Sequence, residues 1–169
     1  VIGPEDAIVR PKRSSRVDYE AEIAAVIGKR CKGLNYDQAK EAIFGFTCCN
    51  DVTARDLQPI DGQWTRAKGF DTSCPLGPWI VMRDDLDWKD AKISFTLNGE
   101  DVPMASGTTA NLIHGIPEQI AAISSFSTLL PGDVIMTGTP NASGHLDPGD
   151  ETIVHVEGIG DLRNVIVRA

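Results

Sequence analysis

The sequence predicts a β-rich, mixed α/β fold with a few helices, and three observations predict it. Turn signals recur at short intervals, with short apolar runs between them. Three times a Pro is followed two positions later by Asp and then by β-forming residues. These are Pro4-Glu5-Asp6 before Ile8-Val9, Pro131-Gly132-Asp133 before Val134-Ile135, and Pro148-Gly149-Asp150 before Ile153-Val154. Each reads as a turn launching a strand, with Pro fixing φ. Their irregular spacing argues against a repeat architecture. Two stretches, by contrast, carry helix signals. The 169 residues suit one domain, and a chain of this size buries about 70% of its unfolded surface.

Val17 to Gly28 reads as a strand. Val17, Tyr19, Ala21, Ile23, Ala25 and Ile27 share one face; Asp18, Glu20 and Glu22, then Ala24 and Val26, share the other. Asn35 is a helix N-cap with Gln38 as its capping-box partner. That helix is expected to carry Ala39, Ala42 and Ile43 inward and to stop at Gly45. Phe46 to Thr53 reads as a strand with Thr47, Cys49, Asp51 and Thr53 on one face. Ile93 to Leu97, Asn98-Gly99, and Glu100 to Met104 form a hairpin with a type I′ turn. Pro117 opens a second helix with Ile116, Ile120, Ile123 and Ser127 on one stripe, ended by Pro131. Strands follow at Asp133 to Met136, Thr152 to Glu157 and Leu162 to Val167, the last two joined through Gly158-Ile159-Gly160.

The hydrophobic fraction of 41% and charged fraction of 24% are those of an ordinary globular protein. A formal net charge of −8 with pI near 4.8 argues against nucleic acid as a partner, since no basic stripe is present to meet phosphates. An anionic substrate stays compatible with this charge, because a bound cation inverts the local field. No apolar run approaches the roughly 20 residues of a membrane span, and no secretory signal opens the chain. Cys31, Cys48, Cys49 and Cys74 match no zinc spacing and read as buried free thiols in a reducing cytoplasm. The chain begins at Val1 without Met, and Val1-Ile2-Gly3-Pro4 reads like the middle of a loop-and-strand unit. The expectation is that residues upstream are missing.

The chemistry-bearing candidates are few. Glu20 and Glu22 point the same way on a strand, with Cβ atoms roughly 7 Å apart. Their face turns apolar at Ala24 and Val26, so the pair sits at the rim of a buried region, where like charges repel. A divalent cation with a taste for oxygen, Mg²⁺, Mn²⁺ or Ca²⁺, relieves that repulsion. On spacing alone, a solvated acidic face is the more common meaning of E-x-E. Asp51 ends a half-buried strand and needs a partner; Arg55 is the plain candidate, as an ion pair. Lys68, between Trp64 and Phe70, can hold an anion or an enolate, although a surface loop lysine is commoner. Thr137-Gly138-Thr139-Pro140 offers hydroxyls and backbone N–H groups for a carboxylate, or is simply a turn. His114, His145 and His155 show no ligand or triad spacing. His155 reads as an exposed strand residue, and His145 lies in a Gly-rich loop. No nucleophile-elbow, Walker or dinucleotide motif is present.

Taken together and in order, five stretches resemble the fumarylacetoacetate hydrolase family. They are Asp18-Tyr19-Glu20-Ala21-Glu22, Asn50-Asp51-Val52-Thr53-Ala54-Arg55-Asp56-Leu57-Gln58, Lys68-Gly69-Phe70-Asp71, Leu130 through Pro140, and Gly158 through Asn164. The resemblance implies a β-sandwich or roll core and a single catalytic domain over residues 1–169. It implies Glu20, Glu22 and Asp51 as ligands of Mg²⁺ or Mn²⁺ (Ca²⁺ in some members). It also implies Gln58, Lys68 and Thr139 as substrate contacts, Lys68 being catalytic, and a homodimer. Family members place a His, helped by a Glu, on a lid segment that would lie upstream of Val1.

The implied activity is metal-dependent hydrolysis of a C–C bond in an acylpyruvate-type 2-oxo acid. Decarboxylation or isomerisation of related diacids uses the same centre and is the alternative. A non-catalytic binding domain stabilised by a cation is the rival from another class. Lys68 separates them, because a structural cation needs no lysine at an open coordination position.

Overall fold

One β-ribbon organises the chain. The residues expected to form a single strand from Val17 to Gly28 are buried on both faces along most of their length, yet the strand is interrupted at Glu20. Its antiparallel partner is interrupted at Asp51-Val52, opposite that point. The computed structural model describes residues 1–141 and 143–169. In chain order the strands are β1 (Ala7–Arg10), β2 (Val17–Tyr19), β3 (Ala21–Ile27), β4 (Ile43–Asn50), β5 (Thr53–Ala54), β6 (Leu76–Met82), β7 (Lys92–Leu97), β8 (Glu100–Asp101), β9 (Gly107–Thr108), β10 (Val134–Met136), β11 (Gly144–Leu146), β12 (Glu151–Val156) and β13 (Gly160–Arg168). The helices are α1 (Tyr36–Lys40), α2 (Gln58–Asp61), α3 (Thr65–Lys68) and α4 (Ile116–Phe126).

Because β2–β5 and β3–β4 are the two halves of that ribbon, the breaks let it leave one sheet and enter another. The β3–β4 half lies in a four-stranded sheet ordered β10-β3-β4-β6, and the β2–β5 half joins β11 in a three-stranded sheet. A third sheet, ordered β1-β13-β12-β7-β8 with β9 on β7, closes over them. The core is shared: Phe95, Val154, Leu162 and Ile166 from the larger sheet pack into one cluster with Ile23, Phe46 and Cys48 from the ribbon. Tyr19 stacks on Phe95 with ring centroids 4.0 Å apart. Each such side chain contributes roughly 1.5–3 kcal/mol by leaving water. The β-rich mixed α/β fold with a sandwich-like roll is therefore as the sequence predicts.

The three Pro-x-Asp turns share one construction. The middle residue has positive φ in each (Glu5 65°, Gly132 89°, Gly149 106°). The Asp carboxylate then accepts the N–H three residues back: Gly3 to Asp6, Leu130 to Asp133 and Asp147 to Asp150, at 2.7–2.8 Å. The capping box of Asn35 and Gln38 forms as expected. Asn98 and Gly99 both have positive φ, as a type I′ turn requires.

Several boundaries differ from the sequence expectation. The first helix stops at Lys40, because Ile43 pairs with Ile27 in the β3–β4 ladder. Ala42 and Ile43 are still buried. Gly45 is no helix cap: it lies in β4, where a Cβ would stand 2.3 Å from the Val81 carbonyl oxygen of β6. The return strand of the Asn98-Gly99 hairpin spans only Glu100–Asp101, since Pro103 cannot donate to the ladder and a 3₁₀ turn follows. The second helix ends at Phe126, so Ser127 is its cap rather than part of its stripe. Cys31, Cys48 and Cys49 are buried free thiols and Cys74 is half-buried; burial pushes the Cys48 thiol up to about 12. Among the described residues no helix is long and apolar enough to cross a membrane.

Candidate metal centre

The interruption of the ribbon is where the charge collects. At Glu20 the backbone N–H donates to Asn50 Oδ1 (2.9 Å), and the carbonyl accepts from Asp51 N–H (2.9 Å). These two bonds carry the pairing across the break and place Glu20 and Asp51 side by side. Glu22, two residues on, faces Cys49 within the ladder. Carboxylate oxygens of Glu20, Glu22 and Asp51 lie within 4.8 Å of one another. Glu22 is 2% exposed and Asp51 6%. They form one wall of a cleft of about 550 Å³, whose other wall includes Leu129, Val134, Met136 and Thr139.

Lys68 ends α3 and reaches the acids. Its Nζ donates to Glu20 Oε2 at 2.9 Å and to Asp51 Oδ2. The turn that aims it is fixed by Ser73 Oγ, which donates to the Lys68 carbonyl (2.6 Å), and by Gly69, where a Cβ would meet the Thr65 carbonyl at 2.6 Å. Burial disfavours the ammonium, but hydrogen bonds to Asp51 and Glu20 outweigh it and hold Lys68 above the usual lysine value. Lys68 thus meets the two acids as a hydrogen-bond donor. Burial raises Asp51, only partly offset by Lys68. Burial pushes Glu22 up to about 8; the Gly138 N–H, bonded to Glu22 Oε2 at 2.7 Å, opposes this, while the charges of Asp51 and Glu20 add to it.

The structure pairs Asp51 with Lys68, whereas Arg55, the partner expected for Asp51, binds Asp18 and Glu20 instead. Thr139 borders the cleft with a buried hydroxyl that has no hydrogen-bond partner among the described residues. Gln58 stands beside the centre rather than on the cleft wall: its Oε1 accepts from Arg55 Nη1 at 2.9 Å. Among the described residues no histidine lines this cleft. His145 lies on β11 and pairs with Asp147, and His155 is an exposed strand residue beside Asp161. Sequence reading missed Asn50, whose role depends on a cross-strand register, and offered the backbone N–H groups of the Gly138 loop to a carboxylate without seeing that one of them binds Glu22. It also missed Asp18, buried as it is on the acidic face of its strand.

The donor set fits a hard divalent cation. Three carboxylates converge, Asp51 Oδ1 is buried without a partner among the described residues, and Lys68 and Arg55 together leave the three acids one positive charge short. Oxygen-only ligation of this kind suits Mg²⁺, Mn²⁺ or Ca²⁺.

The β-rich roll is an architecture shared with known proteins. The family model for the fumarylacetoacetate (FAA) hydrolase C-terminal region matches residues 1–167, and the chain belongs to that family. It is 50% identical over 166 residues to an uncharacterised protein of Methanocaldococcus jannaschii, covering 98% of this chain and 68% of that protein. It is 40% identical over 176 residues to the mitochondrial oxaloacetate tautomerase Fahd2a of Rattus norvegicus, covering 99% of this chain and 56% of the relative. The crystal structure of a 5-carboxymethyl-2-hydroxymuconate delta-isomerase from Mycobacterium smegmatis superposes with a TM-score of 0.94 at 47% identity, over 99% of this chain and 65% of that one. A fumarylpyruvate hydrolase from Pseudomonas aeruginosa, in complex with Mn²⁺ and pyruvate, superposes with a TM-score of 0.91 at 29% identity, over 99% and 74%. The chain thus spans about two thirds of the length of several of these relatives.

Proposed function

We propose that this chain is the catalytic core of a Mg²⁺- or Mn²⁺-dependent enzyme acting on small 2-oxo acids through their enol forms. Glu20, Glu22 and Asp51 would hold the metal. The observation that carries this reading is Lys68, a lysine fixed against the triad and facing an open cleft. A purely structural cation site has no use for such a group. The relatives that act as a tautomerase and as an isomerase, and the one bound to Mn²⁺ and pyruvate, support the same class.

The bound cation supplies Lewis-acid polarisation of a chelated 2-oxo acid. Lys68 then donates a hydrogen bond to the oxygen that gains charge as the enolate forms. The Thr139 hydroxyl, without a partner among the described residues, would take the substrate carboxylate. The apolar side chains of Leu129, Val134 and Met136 would lie along the carbon skeleton of the substrate. Gln58 is assigned to orienting the far end of the substrate. Keto–enol exchange or double-bond isomerisation needs no more than this and a mobile proton. Cleavage of an acylpyruvate, the second reading and the one favoured by the fumarylpyruvate hydrolase relative, also needs a general base to activate water. No histidine of the described cleft wall supplies that base. We further propose a cytoplasmic homodimer. Phe44, Trp79, Ile80 and Met82, exposed on both sides of β4 and the edge strand β6, supply apolar surface along this sheet edge of the kind dimers cover.

The test is a panel of 2-oxo acids with Mg²⁺ or Mn²⁺, followed by deuterium uptake at C3, CO₂ release and C–C cleavage. Metal-dependent exchange at C3 is expected for at least one acid. A chain that binds neither metal nor 2-oxo acid would rule the reading out.

A further inference from the structure

Asp18 is a charged residue with 0% exposure that does not face the cleft. Its Oδ1 accepts from Arg16 Nε (3.0 Å), and its Oδ2 from Arg16 Nη2 (3.2 Å) and Arg55 Nε (2.9 Å). Both of its oxygens are thus met by guanidinium groups, a buried carboxylate matched by charge. A buried ion pair is a poor source of stability, because desolvation offsets attraction; fixing geometry is its better-attested use. The geometry fixed here is that of Arg55. With Nε on Asp18, Arg55 uses Nη1 for Gln58 Oε1 (2.9 Å), and Nη2 for Ser143 Oγ (2.8 Å) and Glu20 Oε1 (2.5 Å). The guanidinium is spread across four partners, with four of its five N–H groups engaged.

We propose that Asp18 and Arg55 form a clamp that positions Glu20, committing its Oε1 to the protein so that only Oε2 is presented to the metal. The inference rests on the metal-centre reading above. It bears on a pattern in the triad: Glu22 Oε2 meets the Gly138 N–H and Asp51 Oδ2 meets Lys68, which leaves one oxygen on each. Glu20 Oε1 meets Arg55, and its Oε2, the oxygen on the cleft side, is shared with Lys68 Nζ. Of these engagements, that of Glu20 is buttressed from behind by a second buried charge. Ligands restricted to one oxygen each suit a small six-coordinate ion, which demands near-octahedral geometry. Ca²⁺ takes six to eight oxygens and welcomes two-oxygen carboxylates. The clamp therefore acts as a positioning device for metal choice. Arg55 and Asp18 are positioning residues.

The experiment is Mn²⁺ and Ca²⁺ titration of the metal-free protein by calorimetry, with Mn²⁺ electron paramagnetic resonance as a second readout. It covers wild type, Arg55→Lys, Asp18→Asn and the double variant. Loss of an outer-shell partner typically costs about 10–100-fold in metal affinity. Arg55→Lys is expected to weaken Mn²⁺ by that factor, and Asp18→Asn by less. The double variant should be no worse than Arg55→Lys alone, since Asp18 acts through Arg55. In both single variants the preference for Mn²⁺ over Ca²⁺ should fall. If Asp18→Asn does not fold, Arg55→Lys alone decides, through its Mn²⁺ affinity and its Mn²⁺-to-Ca²⁺ ratio. A lower melting temperature with unchanged metal affinity and ratio would make the pair merely structural and overturn the clamp. Additive losses in the double variant would overturn it as well. A wild type that binds no Mn²⁺ overturns the metal-centre reading itself, and the clamp with it.

Discussion

The two ends of the β3–β4 ribbon differ sharply in chemistry while sharing a backbone. From Ile23 to Ile27, and opposite from Ile43 to Cys48, almost every side chain is apolar and buried; Thr47 is the buried polar exception. Beyond Glu22 the same ribbon carries Glu20 and Asp51, met by Lys68 and Arg55. The apolar end is held by burial, which tolerates any well-packed hydrophobe. The polar end is held by specific partners, and losing one leaves a buried charge uncompensated. Fold and chemistry are thus separable along one strand pair, and substitutions at the two ends should separate them.

The sharpest separation is expected from Asp51→Ala. Metal-dependent turnover should vanish to background while circular dichroism still shows the folded chain; retained turnover would remove Asp51 from the centre. Phe46→Ala, at the apolar end, should do the reverse. It should cost about 3–5 kcal/mol of stability in a urea titration, the usual range for a buried Phe, with metal affinity unchanged in the molecules that remain folded. Lys68→Met should lower kcat by about 10²–10³-fold, the scale of losing one oxyanion donor, with little change in metal affinity. An unaltered kcat would favour a structural cation.

A fourth expectation concerns pH. Glu22 is raised from 4.5 to about 8 in the folded chain, chiefly by burial. A group raised on folding contributes stability fully present below its unfolded value and lost as pH rises through the folded one. The metal-free protein should therefore lose stability between about pH 5 and pH 8.5. Glu22→Gln should flatten that slope, and Mn²⁺ binding at neutral pH should release a proton, read by calorimetry in buffers of different ionisation enthalpy. The smallest effect is expected far from both ends: Asn35→Ala, which removes the N-cap of α1, should cost ~1 kcal/mol.

Local devices were readable in the sequence. The Asn35–Gln38 box, the Asn98-Gly99 turn and the Pro-x-Asp turns each use residues within four positions of one another, so composition alone marks them. The E-x-E spacing of Glu20 and Glu22 placed two acids on one face, but only their order within the wider resemblance made them a site. What stayed hidden depended on distant partners. The break at Glu20 could not be seen, because Asn50 supplies the bond that bridges it. The early end of α1 follows from Ile43 being taken by Ile27. Arg55 was matched to Asp51 by nearness in sequence, while in space Asp18 and Glu20 claim it.

The pairing of β1 with β13 sets a timetable for assembly. These strands run parallel, Ile8 beside Ile166, and the Asn164 side chain donates to the carbonyls of Gly3 and Asp6 across separations of 161 and 158 positions. Contacts this remote in sequence form slowly, since the chain must close a long loop before they return any stability. A ribosome emitting this chain from its N-terminus completes the acidic ribbon while the last strand of the large sheet is still unsynthesised. The site-bearing strands must then wait, half covered, for the tail that seals them, and chaperone demand should peak in that interval.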